Sequence, residues 1–411
     1  MRRPLQCFAL IAACAVAWSA VGQTATAQPP TPAPVEARAD PPEQRRILAD
    51  AQAKLAWELI ERLSGRAGAD VTVSPASLAS VFGVVGVGAD AAMKGAMAKT
   101  LGFGASDAAK ALAALSLVRA KLAHDGGPFV SADRIVFAPG AAPNAETQGK
   151  IEKEGVAYSI EDLSKPEAVA RIDAWVKETT KGMIPEILGA PLDKASFVAL
   201  NALHFKGKWK TPFDPKLTAP APFTGADGKV EDVAMMRAPE AQRAYRTEQN
   251  FIGVDLPFSD ERFSLVVVTT TGKPLAAKDF AKTADWLSGA GFAQRKGDLA
   301  LPRFKVSGRF ELLPTLDAMG LDKGRRSASA LEGFGKGTAL SQVVQRAAIE
   351  VDEEGAEAAA ATAITATRAL EQDDSLHMVV DKPFVFALRD RESGMILVAG
   401  YVGHAPKGKA G

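Results

Sequence analysis

Apolar residues recur with a helical period near the start of the chain. Leu55, Leu59, Ile60 and Leu63 are spaced so that they share one face of a helix. This spacing predicts a first amphipathic helix over residues 43–64.

A second helix is predicted by a different pattern. Ser74 followed by Pro75 is a pair that caps and opens a helix, and the next residues, 76–87, are small and apolar on every side. A helix without a polar face is expected to be buried. Two further helices are predicted over residues 106–124 and 167–181.

The period of the apolar residues changes near residue 196. Several later runs are rich in β-branched and aromatic residues and are separated by turn signals, which is typical of strands. These runs cover residues 197–205, 254–257, 263–271, 299–305, 343–351, 379–388 and 395–402. Because helices come first and most strands come late, we predict an α+β fold in a single domain without internal repeats.

The N-terminal residues resemble an export signal. A basic start is followed by the mostly apolar run 5–21 and by small residues that end at Ala27. We therefore expect a signal peptide over residues 1–27 and an exported protein, either extracellular or periplasmic. A single membrane anchor is the competing interpretation, but a run of about 17 residues is short for a membrane span.

Both cysteines, Cys7 and Cys14, lie within this signal, so we expect the mature chain to have no disulfide and no thiol nucleophile. Lipidation at Cys14 is an alternative, although the apolar sequence continues beyond it. A proline-rich linker is predicted over residues 28–42, followed by one folded domain over residues 43–411.

Composition and charge point to no special partner. The 411 residues include 49 Lys and Arg and 48 Asp and Glu, so nothing favours binding to nucleic acid or to a membrane surface. The sequence has no hydrolase, metalloprotease or phosphate-loop motif, and we predict no catalytic residues, no metal and no cofactor. A hydrolase with an unmarked triad remains a separate hypothesis. The four histidines are scattered, at positions 124, 204, 377 and 404.

Residues 351–370 are unusual for a loop. The alanine-rich part favours a helix, whereas the β-branched residues between 362 and 367 favour an extended backbone. With a period of two, one face from 356 to 366 is small and uncharged, and Glu357 lies on the other face. The pattern leaves two interpretations open, a helix and a strand that inserts between existing strands.

Several stretches resemble the serpin family in their order and spacing. They include residues 70–103, 172–182, 201–209 (NALHFKGKW), 235–236, 301–304, 353–362 (EEGAEAAAAT) and 381–386. Each match is weak by itself, but the common order from residue 45 to residue 405 is specific.

The resemblance implies a serpin fold of about nine helices and three β-sheets, with an exposed reactive-centre loop at about residues 353–380. It implies a monomeric, metastable inhibitor and not an enzyme. Its partner would be a target serine protease, with cysteine endopeptidases as a further class. In this family, which is a known example of loop insertion, the protease forms a covalent acyl complex and the cut loop then enters the main sheet.

The resemblance also implies a hinge at the start of this loop. Its residues are Glu353, Glu354, Gly355, Ala356, Glu357, Ala358, Ala359, Ala360, Ala361 and Thr362. Ala356 stands where the family usually has Thr, and it is equally small. The small alternating face of the hinge is compatible with insertion.

Two scissile bonds are compatible with the family pattern. The bond usually lies fourteen residues after the hinge glycine, which places it between Ala369 and Leu370 and suits an elastase-like protease. One residue earlier, the bond between Arg368 and Ala369 would suit a trypsin-like protease. Because the length of the hinge varies by one residue in the family, both bonds stay open.

A polar gating cluster of Ser74, Ser77, Asn201 and Gln345 is implied where the main sheet opens. Gln345 stands where the family usually has His, but its amide can still donate and accept hydrogen bonds. Trp209 is implied at the breach, the end of the sheet where the loop enters.

A non-inhibitory serpin that acts as a binding protein is the alternative function. Such members often have bulky, charged or proline residues in the hinge, so the small hinge residues here favour the inhibitory hypothesis.

Overall fold

Most of the long helices lie in the N-terminal half of the computed structural model, largely as the apolar pattern predicts. The structure describes residues 42–65, 68–103, 129–153, 157–193, 195–205, 207–355 and 375–407. The α-helices within these ranges are α1 Pro42–Ser64, α2 Pro75–Gly88, α3 Ala91–Thr100, α4 Ala145–Lys153, α5 Pro166–Thr179, α6 Leu313–Ala318 and α7 Asp322–Arg325. Segments of 3₁₀ helix cover Pro139–Ala141, Pro215–Leu217 and Ala277–Ser288.

The predicted helices over residues 43–64, 76–87 and 167–181 are confirmed by α1, α2 and α5. The predicted helix over residues 106–124 lies outside the described residues. At the start of α2, the Ser74 hydroxyl accepts a hydrogen bond from the Ser77 N–H at 3.2 Å, so Ser74 is the expected N-cap.

A five-stranded sheet forms one layer of the fold. Its strands are β2 Phe129–Phe137, β3 Ala157–Ile160, β4 Phe197–Phe205, β10 Phe304–Glu311 and β11 Leu340–Val351. Their order is β10-β11-β4-β2-β3. The β10–β11 and β4–β2 pairs are antiparallel, whereas β11–β4 and β2–β3 are parallel.

A nine-stranded sheet forms the second layer. Its strands are β1 Val71–Val73, β5 Ala219–Thr224, β6 Val230–Glu248, β7 Phe251–Pro257, β8 Phe263–Thr270, β9 Ala293–Pro302, β12 Leu376–Val379, β13 Phe384–Asp390 and β14 Ile396–Val402. Their order is β1-β14-β13-β8-β7-β6-β9-β12, and β5 also pairs with β6. The 19-residue strand β6 shifts register between Ala238 and Ala241 and makes one continuous sheet where the family resemblance implied two.

The five-stranded sheet is covered on both faces. Along β4, the odd-numbered apolar residues Phe197, Ala199, Leu203 and Phe205 pack in the main core with α2. The even-numbered residues Val198, Leu200 and Ala202 pack against α5 in a second, smaller core. We call these the inner face and the outer face of the sheet.

Two predicted strands are each two strands in the structure. The run 299–305 contains the end of β9 and the start of β10, which belong to different sheets and meet at Arg303. The run 379–388 divides between β12 and β13, where Pro383 cannot donate a ladder hydrogen bond. The breaks fall at charged residues, Arg303 in the first run and Asp381 and Lys382 in the second, so these two predictions of continuous strands were wrong.

Strand β6 escaped prediction because most of it is exposed, whereas the buried strands β1 and β2 escaped it for other reasons. Strand β6 has few buried residues, and its polar sequence therefore shows no apolar alternation. Within the described ranges, no helix is both long and apolar enough to cross a membrane. The described residues fall in one compact unit.

Candidate functional site

The junction of β4 and β11, which we call the seam, is the candidate site. The two strands are parallel and directly paired from Phe197 with Leu340 to His204 with Ala348. A strand placed between two parallel strands can run antiparallel to both. The chain that leaves β11 at Val351 has only to turn back to take that direction.

Residues 352–355 turn the chain back at the end of β11. The N–H of Asp352 donates to the carbonyl of Gly355 at 3.3 Å, and the reverse bond measures 3.4 Å. Gly355 has a φ of +109°, and a Cβ on it would lie 2.3 Å from the carbonyl oxygen of Gly207. Glycine is therefore required where the hinge crosses the end of the seam.

The first hinge residues are held by the segment that follows β4, through contacts that we call the hinge anchor. The N–H of Trp209 donates to the Glu354 carbonyl at 3.0 Å, and that of Phe213 to the Glu353 carbonyl at 2.8 Å. The indole N–H of Trp209 donates to the Asp352 carbonyl at 2.9 Å. The structure thus places Trp209 against the hinge, at the end of the sheet implied for the breach.

An ion pair completes the hinge anchor. Arg303 donates to the Glu353 carboxylate through two nitrogens, at 2.6 and 3.1 Å, and the Thr218 hydroxyl donates to it at 2.6 Å. Burial opposes ionisation of Glu353, but the hydrogen bonds from Arg303 and Thr218 outweigh it and hold its pKa below the ordinary value. Burial, together with the neighbouring carboxylates of Glu353 and Glu354, raises the pKa of Asp352.

Three of the four predicted gating residues are hydrogen-bonded to one another in the middle of the seam. The Ser74 N–H donates to Gln345 Oε1 at 2.8 Å, and Gln345 Nε2 donates to the Ser74 carbonyl at 2.9 Å. The same Nε2 donates to Asn201 Oδ1 at 3.2 Å. Ser77 contributes its N–H to the Ser74 hydroxyl, but among the described residues its own buried hydroxyl has no partner.

Sequence reasoning missed Asp133, which extends the gating cluster. Asp133 is the register partner of Asn201 on β2 and accepts a hydrogen bond from the Asn201 side-chain amide. The signal was a single carboxylate among apolar neighbours in residues 129–137, but no strand was predicted there.

A segment over residues 184–189, which we call the strap, lies on the outer face. Asp173 on α5 accepts hydrogen bonds from three consecutive strap amides at 2.8–3.0 Å. Arg309 on β10 donates to two strap carbonyls at 2.6 Å, and Arg346 on β11 donates to a third at 2.7 Å. Helix α5 packs on β4, whereas β10 and β11 lie on the other side of the seam. The strap therefore joins the two sides of the seam.

Much of the implied reactive-centre loop lies outside the described residues. This applies to hinge residues Ala356, Glu357, Ala358, Ala359, Ala360, Ala361 and Thr362 and to the candidate bonds at Arg368, Ala369 and Leu370. The chain is described again from Ser375, and β12 then pairs in parallel with β9. The two described ends of the loop therefore join different sheets.

Comparison with known proteins identifies relatives over nearly the whole chain. The family model described as "Serpin (serine protease inhibitor)" matches residues 50–404. Serpin-ZXA of Oryza sativa subsp. japonica is 31% identical over 368 residues, covering 82% of this chain and 91% of the relative. Glia-derived nexin of Homo sapiens is 28% identical over 355 residues, covering 81% and 87%.

Solved structures have the same fold. Human thyroxine-binding globulin superposes with a TM-score of 0.78 at 20% identity, covering 89% of this chain and all of that chain. The α+β fold expected from the sequence is thereby confirmed. Because the family model spans most of the chain and the relatives align along their length, this chain belongs to the serpin family.

Proposed function

We propose that this chain inhibits serine endopeptidases as a suicide substrate, with cysteine endopeptidases as a further target class. The observation that carries the proposal is the seam, where β4 and β11 are directly paired in parallel. The hinge already turns back over the end of the seam. A cut loop that continued in this direction would become a central strand with hydrogen bonds on both sides.

The covalent step follows from the candidate bonds. The serine Oγ of the protease would attack the carbonyl carbon of Ala369 or Arg368, forming an ester as the peptide bond breaks. The amine of the next residue would leave with a proton. If the hinge inserts before water hydrolyses the ester, the protease is carried along with the loop.

Chain length supports displacement of the protease to the far end of the sheet. In extended form, the fourteen residues 356–369 span about 46 Å at roughly 3.3 Å per residue. The nine residues of β4, Phe197–Phe205, span about 30 Å. The acylated end would therefore pass beyond the Phe197 end of the seam, opposite to the hinge.

The active form would be kinetically trapped. The closed seam lacks the ladder hydrogen bonds that an inserted strand would add, so the uncut state would be the less stable of the two. It would persist because opening of the seam is slow. We further propose that residues 1–27 are removed on export, that residues 28–42 act as a linker, and that the domain of residues 43–411 is a monomer.

The test mixes the chain from Gln28 onward with trypsin-, chymotrypsin-, elastase-, subtilisin- and papain-like proteases, followed by denaturing electrophoresis and intact mass. We expect a denaturation-resistant band at the summed mass of inhibitor and protease. The released C-terminal peptide then identifies the bond, with 42 residues after a cut at Ala369 and 43 after a cut at Arg368.

The second candidate function is that of a non-inhibitory binding protein. The observation that favours it is the similarity in fold to thyroxine-binding globulin, whose structure was solved in complex with thyroxine. Clean cleavage by every protease without a trapped band would contradict the inhibitory proposal and favour this second function.

A further inference from the structure

We propose that Asp133 is a positioning residue that fixes the orientation of Asn201 in the gating cluster. Asp133 on β2 lies directly opposite Asn201 on β4, and Asn201 lies directly opposite Gln345 on β11. The three side chains therefore form a row across the seam on the inner face of the sheet. The row ends at Ser74 of α2, which Gln345 contacts through both amide atoms.

The Asp133 carboxylate accepts hydrogen bonds from several donors. Asn201 donates through Nδ2, the Ser80 hydroxyl donates at 2.7 Å, and the Ser131 hydroxyl donates at 3.2 Å. An ionised carboxylate can accept but cannot donate. Asn201 must therefore turn its amide nitrogen toward Asp133 and its Oδ1 toward Gln345.

Gln345 is held in the matching orientation from the other end of the row. The Ser74 N–H donates to its Oε1 at 2.8 Å and its Nε2 donates to the Ser74 carbonyl at 2.9 Å, so the same Nε2 also faces Asn201 Oδ1, at 3.2 Å. If either amide were reversed, N–H groups would face N–H groups. The Asp133 carboxylate and the Ser74 backbone thus fix one direction for the hydrogen bonds that join β2, β4, β11 and α2.

Charged groups on the packed elements point elsewhere. Helix α2 has no titratable side chain. Along the strands, Arg134, His204, Arg346 and Glu350 occupy the alternate positions and face the outer side. Within the described parts of these four elements, Asp133 is therefore the titratable group on the inner face.

Protonation of Asp133 would weaken its hold on Asn201. The charge-assisted hydrogen bond from Asn201 Nδ2 would become a neutral one, while the Ser74 backbone still holds Gln345, so the seam would open more often. We expect opening of the seam to become faster as the pH falls through the titration of this carboxyl. The consequence for inhibition rests on the proposed function, but the orientation of Asn201 does not.

The experiment measures backbone hydrogen exchange of β4 and β11 between about pH 2.5 and pH 8, corrected for intrinsic exchange, because an ordinary Asp carboxyl titrates at about pH 4 and hydrogen-bond donors favour its ionised form. It compares the wild-type chain from Gln28 with Asp133→Asn and with the control Glu350→Gln, which removes a carboxylate from the outer face of β11. For the wild type, we expect opening to be about tenfold more frequent at low pH than at neutral pH, the equivalent of about one charge-assisted hydrogen bond.

Asp133→Asn should exchange at every pH like the wild type at low pH, because both then have a neutral group at this position. Glu350→Gln should follow the wild type. A constant offset between the Asp133→Asn and wild-type profiles would mean that Asp133 only packs there, and it would overturn the proposal.

A second measurement covers the case in which Asp133→Asn does not fold. In the wild type, we expect the side-chain amide protons of Asn201 and Gln345 to be protected at neutral pH and to lose protection at low pH. Protection that does not change with pH would overturn the proposal. Neither measurement uses a protease, so a failure to trap proteases would count against the proposed function alone.

Discussion

The hinge anchor and the gating cluster hold the same seam at two positions, by different means. The hinge anchor uses an ion pair in which the Arg303 side chain is 22% exposed, so water can replace part of what Arg303 loses. In the gating cluster, Gln345 is fully buried and uncharged and contacts two elements through one amide. The seam is thus closed more firmly in its middle than at the end where the hinge lies.

This difference indicates an order of events during insertion. The hinge anchor can exchange its partners for water one at a time, whereas opening at Gln345 leaves buried donors and acceptors unpaired at once. We therefore expect the hinge anchor to break first and the opening of the gating cluster to set the activation barrier for insertion.

The largest effect on protease trapping should come from a substitution that leaves the hinge anchor and the gating cluster intact and blocks only insertion of the hinge as a strand. Ala360→Arg places a charge on the small face of the hinge, and burying an unpaired charge costs several kcal/mol, so we expect the trapped fraction of protease to fall by about 100-fold. Ala359→Arg on the alternate face is the matched control. Equal losses in both variants would contradict the period-two pattern of the hinge. The measurement is the ratio of trapped to cleaved inhibitor.

The next effect should come from removing the central amide of the gating cluster. Gln345→Ala leaves the buried N–H of Ser74 unpaired and removes one of the two donors to the Ser74 carbonyl, so we expect the free energy of unfolding to fall by about 3 kcal/mol. Ser77→Ala is the control, because its hydroxyl makes no hydrogen bond within the described residues, and its cost should stay below about 1 kcal/mol. Urea unfolding measures the free energy of unfolding of both variants. Equal costs would show that burial, and not hydrogen bonding, accounts for the contribution of Gln345.

Breaking the hinge anchor should cost less than breaking the gating cluster. We expect Arg303→Ala and Glu353→Gln each to lower the free energy of unfolding by about 1–2 kcal/mol, because both remove a charge-assisted bond. The double variant should cost less than the sum of the two, since the residues contact each other directly. Additive costs in urea unfolding would mean that the ion pair contributes nothing to the hinge anchor.

The smallest expected effect is the pH dependence of the hinge anchor. The folded pKa of Glu353 is lowered from 4.5, so its contribution is present above that value and is lost as the pH falls through the folded pKa. Asp352, with a raised pKa, changes stability in the opposite sense and partly masks the trend in the wild type. The difference between wild type and Glu353→Gln isolates Glu353, and it should shrink below about pH 4.5. A difference that stays constant with pH would contradict this assignment.

The gating cluster shows which site residues the sequence predicts and which it does not. The family resemblance implied Ser74, Asn201 and Gln345, and the structure joins all three by hydrogen bonds. Nothing local in the sequence indicated that Asp133 belongs to the same row, since it lies 68 residues from Asn201 along the chain. Only the pairing of β2 with β4 brings the two side chains together.

The sequence by itself determined the elements whose causes are local. The apolar stripe of α1, the Ser74 cap of α2 and the apolar run of β4 each depend on residues a few positions apart, so they can be predicted from the sequence alone. The tertiary structure alone decided that Arg303 separates two sheets and contacts Glu353, and that the strap crosses the seam. These contacts join residues 50 or more positions apart, and their partners are selected by strand pairing and burial, which no local pattern of residues encodes.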